Sequence, residues 1–137
     1  MSLVGDKAFI ARLRRAAKVA SAMNEWANES AEIIAQEARS LVDEGGIPSP
    51  NHIPSDPGQS PNTDSGKMVA HINAEDLPET GQAAVISDAM SDSWYSYALI
   101  EFGNSRVAER PYMRPATSNK RKVVLANART AVNKVTR

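Results

Sequence analysis

Two histidines, His52 and His71, and sixteen carboxylates among 137 residues are the raw material for acid–base or metal chemistry. Imidazole titrates near neutrality and binds metal through either ring nitrogen, but a site needs several ligands at a defined spacing, such as two histidines four apart with a glutamate between them. His52 lies in a proline-rich stretch and His71 in a short apolar one, and neither has such a neighbour. A hydrolase pairing His71 with an acid therefore has no motif behind it. Gly45 and Gly46 are not followed by Lys-Ser or Lys-Thr, so they form no phosphate-cradling loop, and Ser65 lacks the glycine two residues earlier that a nucleophile elbow requires. With no cysteine there is no thiolate nucleophile, disulfide framework or thiolate zinc site. The expectation is a protein that is not an enzyme, with no catalytic residue, no cofactor and no metal.

Lys120, Arg121 and Lys122 form the one cluster suited to phosphate. Against them stands a zero formal net charge, 16 Lys and Arg against 16 Asp and Glu, whereas a dedicated nucleic-acid binder carries a cationic surplus. A small nucleic-acid-binding protein gripping phosphate with a basic C-terminal helix is the alternative function on this count. The distribution of charge is more informative than its total. Residues 7–18 hold Lys7, Arg12, Arg14, Arg15 and Lys18 and no acid, residues 25–92 hold thirteen acids against Arg39 and Lys67, and residues 106–137 hold nine bases against Glu109. Basic ends and an acidic middle suit either contact within the chain or copies that stack on one another.

The elements that would position these groups follow from periodicity and punctuation. From Asp6, read as an N-cap, to Glu44 no proline or glycine interrupts a run rich in Ala, Arg, Glu and Leu, and the spacing predicts a helix over 6–44. Its apolar face runs through Phe9, Leu13, Ala16, Ala20, Met23, Ala27, Ile34, Ala38 and Leu41, widened by Trp26, Ile33 and Val42. At about 1.5 Å per residue such a helix exceeds the roughly 40 Å diameter of a compact chain this long, so it either breaks near residues 24–28 or projects and needs a partner. A subunit contact through Phe9 and Leu13 is expected.

Residues 45–66 carry Pro48, Pro50, Pro54, Pro57 and Pro61 and are expected to be a long flexible loop that orders on assembly. Residues 67–73 and 83–89 read as two strands joined through residues 75–81. Residues 94–102 fit either helix or strand, Gly103 ends them, and Pro115 opens a last helix with Val124, Ala128, Ala131, Val132 and Val135 on its apolar side. No run is long and apolar enough for a transmembrane span or a secretion signal. The expectation is a single α+β domain over 1–137: a long N-terminal helix, the loop, then over 67–137 a small antiparallel or mixed sheet and a C-terminal helix.

The one specific signal comes late. Tyr97-Ala98-Leu99-Ile100-Glu101-Phe102-Gly103 is followed by Pro111-Tyr112-Met113-Arg114-Pro115-Ala116. By composition alone, Gly103 supplies a positive φ that lets the chain reverse after a buried Phe102, Pro111 and Pro115 stiffen the approach to the last helix, and Tyr112 and Met113 give apolar bulk to the sheet. Glu101 is within reach of Arg106, Arg110 or Arg114. This reads either as a rigid core corner or as a contact surface.

The same block resembles the tailed-phage neck family of head-tail joining, tail-component and tail-completion proteins. There Tyr-Ala, an apolar-Glu-Phe-Gly and an Arg-Pro-Ala preceded by proline and an aromatic come in this order and at about this distance. The earlier Thr63-Asp64-Ser65-Gly66-Lys67-Met68, with Ile72, is similar to that family's Thr-Gly-x-Leu stretch and first strand, with Ser65 and Met68 standing where Thr and Leu are usual. The resemblance covers residues 60–116. It implies a structural virion protein in the neck, assembled in the bacterial host cytoplasm as a homo-oligomeric ring, hexameric or dodecameric. Such a ring acts as head-tail connector or as tail terminator or completion protein between portal and tail tube, with head-completion or connector proteins and tail-tube proteins as its partners, genomic DNA passing through unread and no membrane involved.

Overall fold

The chain is described by a computed structural model over residues 5–43, 51–62, 66–87 and 97–136. Helix α1 (Gly5–Asp43) is unbroken for 39 residues, about 58 Å at the usual rise. No break occurs near residues 24–28. The helix already includes Gly5, so Asp6 lies inside it and is not its N-cap.

Only the second half of α1 is packed. Ala27, Ala31, Ala35, Ala38 and Val42 are buried at steps of three and four, with Ser30 buried next to Ala31, and the expected larger residues Ile34 and Leu41 pack half-buried beside them. The seam is therefore made mainly of alanine, whose small side chain lets a neighbouring backbone approach closely. That neighbour is helix α4 (Met113–Thr136). The Trp26 indole N–H donates to the Val124 carbonyl at 2.9 Å. Asn119 and Lys120 of α4 both reach Glu37 of α1, at 2.9 Å each. Here a basic end does meet the acidic middle. Together these donors hold the Glu37 carboxyl below the usual range, with the Asn119 and Lys120 hydrogen bonds outweighing partial burial. On α4, Val124, Ala128, Ala131 and Val135 are half-buried, but Val132 is exposed, as are Val123 and Leu125.

Strands β1 (Ile72–Asp76) and β2 (Ala83–Ser87) form an antiparallel hairpin with Ile72 opposite Ser87 and Asp76 opposite Ala83. A two-stranded hairpin is marginal alone. Packing on α1 completes its core, where Ile72 is fully buried and Arg39 donates to the Ile72 carbonyl at 2.8 Å. The strands differ from the sequence expectation. Residues 67–70 form one helical turn, α2 (Lys67–Ala70), closed by the His71 N–H bonding back to the carbonyls of Lys67, Met68 and Val69. The first strand starts only at Ile72 and runs into Glu75 and Asp76, which the sequence places in the connection. Of residues 83–89, 88 and 89 lie outside the described residues. Tyr97–Phe102 is helical, α3, which settles that ambiguity, while residues 94–96 lie outside.

Of the proline-rich stretch, residues 45–50 and 63–65 lie outside the described residues. Residues 51–62 contain neither helix nor strand and are tied to the segment before α4. Gly58 N–H donates to the Glu109 carbonyl at 2.9 Å, Arg110 Nε to the Ser55 carbonyl at 2.9 Å, and Ser60 Oγ to the Pro111 carbonyl at 3.1 Å.

Candidate functional site

The residues singled out between 97 and 116 converge on one corner, organised around Glu101. An α-helix begins with four backbone N–H groups that have no partner inside it. The first internal bond of α4 runs from Ala116 N–H to the Tyr112 carbonyl at 3.1 Å, so the unpartnered positions are 112 to 115. Glu101 Oε2 accepts from Tyr112 N–H at 2.7 Å and Met113 N–H at 3.0 Å, and Oε1 accepts from Arg114 N–H at 3.0 Å. The fourth position is Pro115, which has no N–H to satisfy. One carboxylate and one proline thus complete the start of α4, and the carboxylate comes from a different helix eleven residues upstream.

Glu101 is only 4% exposed. Burial pushes its pKa up, but the three backbone N–H donors and the Arg114 side chain outweigh that and hold it below the usual carboxylate value. Arg114 is the one of the three expected arginines that pairs with it, through Nε to Oε1 at 3.1 Å. Its Nη2 also bridges to the Glu101 carbonyl at 2.9 Å and to Glu109 at 2.8 Å. Hydrogen bonds to Glu109 and Glu101 in turn raise the arginine's pKa.

Phe102 is 65% exposed, correcting the expectation that it is buried. In the six-residue α3 the inward positions are Tyr97 and Glu101, and the phenyl ring instead lies under the Arg114 guanidinium, 5.2 Å from its centroid. Ala98 is exposed. Gly103 has φ of +66°, and its N–H closes α3 on the Leu99 carbonyl at 2.8 Å. A Cβ there would stand 2.6 Å from the Glu109 nitrogen and 2.8 Å from the Val107 oxygen. The reversal expected at this glycine is present, tightened by Asn104, whose Oδ1 accepts from Arg106 and Val107 N–H at 2.8 Å each.

Tyr112 and Ala116 are fully buried. The Tyr112 hydroxyl meets Ser87 Oγ of β2 at 2.7 Å, which fastens the corner to the sheet through a polar contact where the sequence expected only apolar bulk. Burial pushes the Tyr112 phenol up to about 12, and burial also raises Tyr97. An open groove of about 530 Å³ runs past Tyr97, Phe102, Tyr112, Arg114, Thr117 and Arg121. Both oxygens of Glu101 face two donors each, Arg114 is paired with two carboxylates, and neither phenol ionises near neutrality.

Of the other sequence candidates, Arg121 lines this groove and His71 borders the corner, while the rest stay apart from it. Phe9 and Leu13 lie on the uncovered half of α1, 60% and 53% exposed. His71 closes α2, with its ring 6.4 Å from that of Tyr97, and His52 sits in the 51–62 segment. Among the described residues no three His, Asp or Glu side chains cluster to hold a metal, and no helix is long and apolar enough to cross a membrane. Thr63, Asp64, Ser65, Gly45 and Gly46 lie outside the described residues. Sequence reasoning missed the roles of Ser60, Ser87, Asn104 and Glu109, which complete the corner through one or two polar contacts each. It also missed the capping role of Glu101, for which Pro115 at the fourth unpartnered position was the available signal.

No family model, curated protein or solved structure matches this chain significantly.

Proposed function

We propose that the chain is a structural subunit, without enzymatic activity, that assembles with copies of itself into a ring in the neck of a tailed phage or phage-derived particle, between portal and tail tube. The observation that carries the assembly part is the uncovered half of α1: Phe9, Ile10 and Leu13 are all exposed on an unbroken helix that outruns its own core. A soluble monomer gains nothing from such a stripe, whereas a second surface covering it gains about 1.5–3 kcal/mol for each large side chain. The neck assignment rests on the resemblance across residues 60–116. The Glu101 corner supports it as the rigid frame that would hold α4 and the hairpin at a fixed angle in every copy.

Sedimentation of the purified chain tests the assembly, with a discrete closed oligomer expected, and mass spectrometry of purified particles tests the location. A chain that stays monomeric at high concentration and is missing from particles would sink this reading. The nucleic-acid alternative draws on the exposed Arg121 and Lys122, but α4 has already committed Lys120 to Glu37 and Arg114 to Glu101 and Glu109. Duplex DNA binding that weakens steeply with salt would favour it.

A further inference from the structure

The uncovered half of α1 is cationic as well as apolar. Lys7, Arg12, Arg14, Arg15 and Lys18 occur there without an acid, all are exposed, and none forms an ion pair among the described residues. Two such arms laid side by side would bring ten cations together, so a symmetric arm-to-arm contact opposes itself. The covering surface must be acidic, and it must lie elsewhere on the partner.

The β1–β2 turn fits. Glu75, Asp76 and Glu79 are exposed around Leu77 and Pro78, Leu77 is among the exposed large apolar residues, and no Lys or Arg occurs between Lys67 and Arg106. This turn borders the base of its own chain's arm but does not reach the arm's apolar tip. It is anchored to the middle of α1, where Gly81 N–H donates to Asn24 Oδ1 at 2.6 Å and the glycine lies beside Met23. Ile10 is fourteen residues further along the helix, roughly 20 Å away. Between arm and turn lies an open groove of about 610 Å³, with Ala16, Val19, Ala20 and Met23 as its apolar floor, Arg12 and Arg15 on its rim, and Thr80 and Gly81 of the chain's own turn walling the end nearest the core.

We propose that the acidic hairpin turn of one copy docks in this groove on the next copy, Leu77 and Pro78 on the apolar floor and Glu75, Asp76 and Glu79 against Arg12 and Arg15. The inference rests on the reading that the partner is another copy of the chain, and it supplies the two surfaces. They are different patches, so the contact is head-to-tail. Such a contact closes into a ring or runs on as a filament, and it does not stop at a dimer.

Charge exchange tests it. Arg12→Glu with Arg15→Glu makes groove and turn both acidic, and Glu75→Lys, Asp76→Lys and Glu79→Lys makes both basic. All five positions are exposed, and circular dichroism checks that each variant keeps its helices. By sedimentation velocity each variant alone should dissociate at least about 100-fold more readily than the parent. The chain carrying all five changes, with an acidic groove and a basic turn, should assemble again. A turn variant that assembles like the parent, or a five-fold variant that stays folded and monomeric, overturns the docking. If the parent assembles and the variants do not differ from it, the ring reading survives and the docking fails. A monomeric parent removes both.

Discussion

The corner at residues 97–116 and the arm at residues 7–18 are opposites. In the corner nearly every polar group has an internal partner: Glu101 alone takes four donors, and Arg114 bridges two carboxylates and a carbonyl. In the arm five cations have none, and three large apolar side chains face outward. The most sequence-specific stretch of the chain thus marks internal carpentry. The stretch with no motif, only a bias in charge and hydropathy, is where an outside surface has something left to bind. A recognisable motif and a place of contact need not coincide.

The contrast breaks most visibly on the arm. Replacing Phe9 and Leu13 together with Asp should leave the melting temperature nearly unchanged, because both side chains are already exposed, yet weaken self-association by about 3–6 kcal/mol, more than 100-fold. Parallel thermal melts and sedimentation runs would measure the two quantities. An equal loss in both would mean that the arm packs on its own fold.

The corner should respond the other way. Glu101→Ala leaves three backbone donors at the start of α4 without a partner, one of them buried, and should cost about 2–4 kcal/mol of folding stability in urea titrations. Little of that comes from the Arg114 ion pair, which is half-exposed. The same carboxylate carries a pH signature. Its pKa is held down in the folded chain, so its contribution is complete above the unfolded value of about 4.3 and is lost as the pH falls through the folded one. Glu101→Gln should flatten the acid limb of a stability–pH curve without abolishing it, because Glu37 is depressed as well. An unchanged limb would show that the cap does not depend on charge.

Gly103→Ala is the smaller perturbation of the same corner. It forces a side chain into a left-handed conformation and against the backbone of Val107 and Glu109, at a cost of about 1–3 kcal/mol. The midpoint of urea unfolding reads it directly, and a loss below about 0.5 kcal/mol would mean that the turn relaxes freely.

What was legible in the sequence depended on how strongly each residue type signals. The span of α1, the reversal at Gly103 and the last helix are readable because proline and glycine punctuate them and strong helix formers fill them, whereas the sequence left open whether α1 breaks near residues 24–28. The α1–α4 seam is misread because periodicity weighs Ile34 and Leu41 above Ala31 and Ala35, while the packed geometry favours the small residues. The 67–70 turn is too short for its apolar pair, Met68 and Val69, to separate helix from strand. Burial at the corner departs from hydropathy: Phe102, expected inside, is exposed, and the charged Glu101 is buried. The need of a helix start for acceptors draws Glu101 in, and hydropathy does not weigh that need.

The cap on α4 also bears on the order in which the chain comes together. Glu101 reaches its donors by closing a loop of only eleven to thirteen residues, whereas the Trp26–Val124 bond between the long helices spans 98. Short closures cost little entropy and can be populated before long ones. The corner is therefore placed to act as the nucleus on which α1 settles last. In stopped-flow chevrons Glu101→Ala should mainly slow refolding, and Trp26→Phe should mainly speed unfolding. The residue that holds one helix end in the finished fold would then also set the rate at which the fold is reached.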